Sequence, residues 1–150
     1  MTNWINDEAQ KHAESKAQKE QSDYLINFSN YWAGLINQIK SDVEQINNQP
    51  IWKDALDDKP ITVKQVVSGY EILKSSLPSV SVIIDNQGKT IKVQTATIKD
   101  SISEYQTKIE DLKVESDGGR LYLKWYDKLF IIPEDASRYI LSPIIEALKR

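Results

Sequence analysis

Residues 79–98 read SVSVIIDNQGKTIKVQTATI, and the fold class turns on them. Apolar and polar side chains alternate through SVSVIID and again through TIKVQTATI, the two-residue period of strands with one buried face. Between them, DNQGK is turn sequence, with Gly88 at a left-handed position. Two strands joined so tightly must run antiparallel. A lone hairpin is marginal in water, so further strands are needed beside it. Upstream, Ile61, Val63, Gln65 and Val67 alternate with Thr62, Lys64 and Val66, Gly69 interrupts, and YEILK resumes at 70–74 before Pro78. Downstream, SEYQTKIEDLKVE at 103–115 alternates through Tyr105, Thr107 and Ile109, then shifts phase to Leu112 and Val114. That slip predicts a β-bulge near Glu110–Asp111.

The stretch ESDGGRLYLKWYDKLFIIPEDASRY, residues 115–139, continues the pattern. Ser116 to Gly119 read as a turn between strands; a phosphate loop would need its glycines between a strand and a helix. Through 121–126, Leu121, Leu123 and Trp125 share one face, and Tyr122, Lys124 and Tyr126 the other. Asp127–Lys128 is read as a two-residue turn, LFII as a last short strand, and Pro133 as its end.

Both flanks are helical in period. Phe28, Trp32, Leu35, Ile39, Val43 and Ile46 recur at steps of three and four, one stripe on a helix over 28–46 that must lie on a core. Residues 8–23 have strong helix formers but only Ala9, Ala13 and Ala17 as a stripe, so a break with a cap at Ser22 or Asp23 is plausible. Unbroken, the helix would be about 60 Å long. Residues 47–60 read as a connection in which Trp52 and Leu56 pin one helical turn. The last helix, 134–149, has Glu134 and Asp135 at its start and buries Ala136, Tyr139 or Ile140, Ile144, Ala147 and Leu148; Pro143 predicts a kink or a restart at Ser142.

The sum is an α+β two-layer sandwich. It has a long N-terminal helix, an antiparallel meander of five to seven strands over 61–132, and a C-terminal helix on the same sheet face. Residues 1–27 form a polar helical extension of one domain, 28–150.

Of 150 residues 40% are hydrophobic, and none is cysteine, which removes disulfides, thiolate metal sites and thiol catalysis. No apolar run reaches the roughly 20 residues of a membrane span, and the N-terminus lacks the pattern of a secretory signal, so a cytoplasmic location is expected. Residues 1–60 carry 10 acidic and 6 basic side chains, and the net charge is -3. Phosphate neutralisation requires a dense basic patch, so this balance argues against nucleic acid. His12, the one histidine, sits in the most polar segment, which excludes a multi-histidine metal site or a histidine triad within the chain. Asp54, Asp57 and Asp58 lack the spacing of a calcium loop and read as an ordinary acidic connection. No cofactor motif and no catalytic motif is present.

Two places could recognise something. Trp4 and Ile5, with Ala9, Ala13 and Ala17, could anchor a protein partner or a second copy along the N-terminal helix. Tyr122, Lys124 and Tyr126, on an open sheet face, could form a stacking platform for a small ligand or bases. The first reading makes the chain a non-enzymatic interaction module, the second a ligand-binding one.

MTNWINDEA at the start and LYLKWYDKLFIIPEDASRYILSPII near the end resemble small bacterial proteins with a polar N-terminal helix, a strand region and a final helix. The resemblance covers about a third of the chain. It implies a bacterial cytosolic protein and brings no activity. The helix–meander–helix order also resembles frataxin-like folds, which would imply iron, but residues 28–46 hold only Asp42 and Glu44 as acids. Secretion chaperones are similar in size and layering, yet they place a helix between strands where none is expected here.

Overall fold

The computed structural model describes residues 4–99, 105–117 and 120–149. One helix, α1, runs from Trp4 to Asn47, followed by a 3₁₀ turn, Pro50–Trp52, and a single-turn helix, α2, Lys53–Leu56. Seven strands follow: β1 (Thr62–Val66), β2 (Gly69–Lys74), β3 (Ser79–Asn86), β4 (Thr90–Ile98), β5 (Tyr105–Asp117), β6 (Arg120–Trp125) and β7 (Lys128–Phe130). The helix α3, Pro133–Leu148, closes the chain. Each strand pairs antiparallel with its predecessor, so spatial order equals chain order.

The alternation read from residues 79–98 is the alternation of burial. Val80, Val82, Ile84, Ile91 and Val93 face inward, joined by Ile72, Leu112, Leu121 and Leu123. Against them pack the α1 stripe, with Phe28, Leu35, Ile39, Val43 and Ile46 all buried, and Ala136, Ile140, Leu141, Ile144, Ala147 and Leu148 of α3. Burying a side chain of this kind contributes roughly 1.5–3 kcal/mol, so this single layer of contacts is the main source of stability.

Polar side chains fix the joints. Asn47, in the last turn of α1, bonds both backbone groups of Ile61, donating to its carbonyl at 3.0 Å and accepting from its N–H at 2.8 Å. Ser137 of α3, fully buried, donates to Asp42 of α1 at 2.6 Å. Tyr31 donates to the Phe130 carbonyl at 3.4 Å.

Several expectations need correction. α1 has no break at Ser22 or Asp23; its helical backbone is continuous for 44 residues, about 66 Å at 1.5 Å per residue. β5 has no bulge: Glu110 faces Val93 and Asp111 faces Lys92 in unbroken register. The phase slip arises because Ile109 points outward, 54% exposed, while Glu110 points inward and is buried. Glu110 tolerates that position because Lys108 lies 2.6 Å away and the Tyr139 hydroxyl donates to it. The last hairpin turns at Tyr126–Asp127, since Lys128 already pairs with Trp125, and Tyr126 takes a left-handed φ of 53°. Gly69 does not interrupt a strand: it begins β2, paired with Val66 and Asp85, and the preceding turn is Val67–Ser68. A Cβ at Gly69 would lie 1.8 Å from the Ile84 carbonyl oxygen, so glycine is required by the closeness of β3.

α3 begins one residue earlier than expected, with Pro133 in its first turn, and stays helical through Pro143. Ser116 and Asp117 belong to β5; Gly118 and Gly119, also read as turn, lie outside the described residues.

Candidate binding surfaces

Three surfaces among the described residues are candidates for binding. The first is the N-terminal part of α1. Ile5 is 65% exposed, and Ala9, Ala13 and every other side chain described between residues 7 and 16 are exposed too. The side chains of Trp4 and Ala17, read as contact residues, lie outside the described ones. This helical segment is polar nearly all round, and a polar helix gains only a few tenths of a kcal/mol from each i,i+4 pair, such as Gln10 donating to Glu14 at 3.4 Å.

The second surface is the outward sheet face, which neither helix covers. Tyr122 and Lys124 stand on it, half-buried. The Tyr122 hydroxyl donates to Glu115 on the neighbouring strand at 2.9 Å, so its ring is held. Tyr126 does not continue the row; it sits in the turn, 78% exposed, with its ring edge-on to Trp125 at 4.5 Å. The register places Lys113 directly opposite Lys124. Like charges so placed destabilise a sheet, and sequence spacing could not reveal the pair because 11 positions and a turn separate the two residues. Further along the same face, Leu73, Ile83, Ala96 and Ile98 line a hollow of about 300 Å³.

The third surface was not foreseen. α1, α3 and the 3₁₀ turn enclose a groove of about 690 Å³. Ile46, Leu141 and Ile145 give it an apolar lining, Trp52 stands beside them, and Asp42, Glu134 and Arg138 supply charge. Only the helical periods of 28–46 and 134–149 and the pinned Trp52 pointed towards it. The charged members come from elements about 90 residues apart.

Elsewhere, buried polar groups serve structure. Lys74 is fully buried, its ammonium donating to the carbonyls of Ser76 at 2.8 Å and Pro78 at 2.7 Å and to the Ser76 hydroxyl at 3.2 Å. Burial holds its pKa below the usual lysine value. Burial pushes the Tyr31 phenol up to about 12. Burial, and then the Glu110 carboxylate, hold the Tyr139 phenol well above its ordinary value. Among the described residues no three histidine, aspartate or glutamate side chains converge as metal ligands, and no helix is long and apolar enough to cross a membrane. No family model, curated protein or solved structure matches the chain.

Proposed function

We propose that this chain is a non-enzymatic interaction protein, working in the cytoplasm, that engages a protein partner or a second copy of itself through the N-terminal part of α1. One observation carries the reading. The helix whose later turns form the core continues toward Trp4, and the side chains described there, Ile5 and residues 7–16, are all exposed. A helical segment with so little of its own to bury is marginal in water, and it gains stability by docking. Ile5 and Trp4 would anchor the contact, and Ala9, Ala13 and Ala17 would allow close approach. Residues 1–27 are then the recognition arm and 28–150 the body that holds it.

Absolute mass by light scattering after size exclusion tests this, for the full chain and for a chain beginning at Ser22. An oligomeric full chain beside a monomeric truncation supports self-assembly. A monomeric full chain that captures a protein, with capture lost on truncation, supports a separate partner. A truncation that unfolds would overturn the reading, because the arm would then be part of the body.

The like-charged neighbours Lys113 and Lys124 favour one alternative, a ligand-binding sheet face with Tyr122, Lys124 and Tyr126 receiving an anionic planar molecule. Tyr122→Ser with Lys124→Gln would abolish such capture and leave the mass unchanged.

A further inference from the structure

The α1–α3 groove combines charge, aromatic surface and apolar surface in a way that packing alone does not require. On α1, Gln38, Asp42, Gln45 and Ile46 fall at helical steps on one side, with Gln49 just beyond the helix; on α3, Glu134, Arg138, Leu141 and Ile145 do the same. The volume of about 690 Å³ lies within the roughly 300–1,000 Å³ of small-molecule sites.

Among the described residues, none of the three charges makes an ion pair. Both oxygens of Asp42 accept from neutral donors, Gln38 at 2.9 Å and Ser137 at 2.6 Å. Its orientation is fixed by neutral donors, and among the described residues it makes no ion pair. Glu134 and Arg138 have the four-residue spacing that commonly gives a helix-surface ion pair, yet they make none, and among the described residues neither has another charged partner. The groove therefore presents two carboxylates and one guanidinium, with no ion pair among the described residues, around an apolar lining with an indole beside it.

We propose that this groove binds a small zwitterion with an apolar body, the chemistry of an α-amino acid with an aliphatic or aromatic side chain. A simple amine would be repelled by Arg138, and a simple acid would face both Asp42 and Glu134. A molecule carrying both signs satisfies the whole set: its ammonium on Asp42 and Glu134, its carboxylate on Arg138, its side chain on Ile46, Leu141 and Trp52. The site is independent of the α1 arm, and a failure of either proposal leaves the other standing.

Three probes share one apolar body and differ only in charge: leucine, 3-methylbutylamine and 4-methylpentanoate. Each is titrated into the full chain and followed by the Trp52 indole N–H resonance, assigned through Trp52→Phe; phenylalanine extends the body. Saturable shifts are expected with leucine or phenylalanine, with the amine about tenfold weaker and the acid weaker still. Glu134 and Arg138 are exposed and make no ion pair among the described residues, so Arg138→Gln leaves the urea midpoint in place, and Glu134→Gln lowers it only slightly, by the loss of a charge in the first turn of α3. Arg138→Gln brings leucine down to the level of the amine, and Glu134→Gln weakens both. The proposal is overturned if neither amino acid gives a saturable shift up to about 10 mM, if the acid binds as tightly as leucine, or if Arg138→Gln leaves the leucine-to-amine ratio unchanged.

Discussion

Replacing Lys74 with methionine isolates the value of a buried ammonium that has no carboxylate beside it. Methionine keeps an unbranched stem of similar volume, so packing is nearly conserved. What disappears is one donor group serving the carbonyls of Ser76 and Pro78 and the Ser76 hydroxyl. The hydroxyl keeps its own bond to the Ala55 carbonyl at 2.8 Å, so two carbonyls bear the loss. A buried acceptor without a partner costs about 1–3 kcal/mol, giving a gross loss of about 2–4 kcal/mol after some relaxation of the loop. Against this stands relief from burying a charge, which the lowered lysine pKa registers. The net expectation at pH 7 is a destabilisation of about 2 kcal/mol. The pH dependence gives a second reading. A lysine whose folded pKa is depressed binds fewer protons in the folded than in the unfolded chain between its folded pKa and 10.5. Wild-type stability from this group therefore rises with pH across that window, and the variant lacks the rise. Urea unfolding followed by tryptophan fluorescence at pH 7 and pH 10 should show the gap between the two proteins widening. A variant equal to or more stable than wild type at pH 7, or a gap that stays constant, would refute the argument.

Gly69→Ala should destabilise by about 3 kcal/mol or more, because the new methyl meets a backbone carbonyl that cannot rotate away. Gly34→Ala is its control: the nearest atom beyond the helix is 3.8 Å from the added carbon, in Pro133, so removing helix glycine flexibility should raise stability by about 0.5–1 kcal/mol in thermal or urea unfolding. Tyr31 gives an alkaline signature of the opposite sign to Lys74. Its raised pKa means that its contribution is intact below pH 10 and is lost as pH climbs through about 12. That loss amounts to about 2–3 kcal/mol. Tyr31→Phe should flatten the fall in urea midpoint above pH 10, and parallel curves for the two proteins would rule the account out.

The strands of residues 61–132 and the stripe over 28–46 were legible because burial there follows local period. Where sequence reasoning missed, the deciding partner was distant. Ile109 and Glu110 exchanged their expected faces because Tyr139, on the last helix, supplies a hydroxyl to the carboxylate. Gly69 was read as punctuation, since the carbonyl that excludes a side chain belongs to β3. Lys74 ends YEILK, and the carbonyls that enclose it follow in the loop, where sequence carries no sign of their direction. Tyr122 and Lys124 shared a face as alternation required, while Tyr126 left it because the turn closes one residue earlier than expected. The α1–α3 groove was the least legible, as it depends on which helix faces oppose one another across the whole chain.

Because strand order equals chain order, the sheet can grow during synthesis by adding one hairpin at a time, each closing a short loop. The helical layer cannot. The stripe from Phe28 to Ile46 leaves the ribosome before the strands, yet α3, which completes its cover, leaves after them. Until then the nascent chain carries apolar surface that its own later residues must hide. The final helix, Pro133–Leu148, is thus the latch of the fold, and truncations at the C-terminus should be far more prone to aggregation than truncations at the N-terminus.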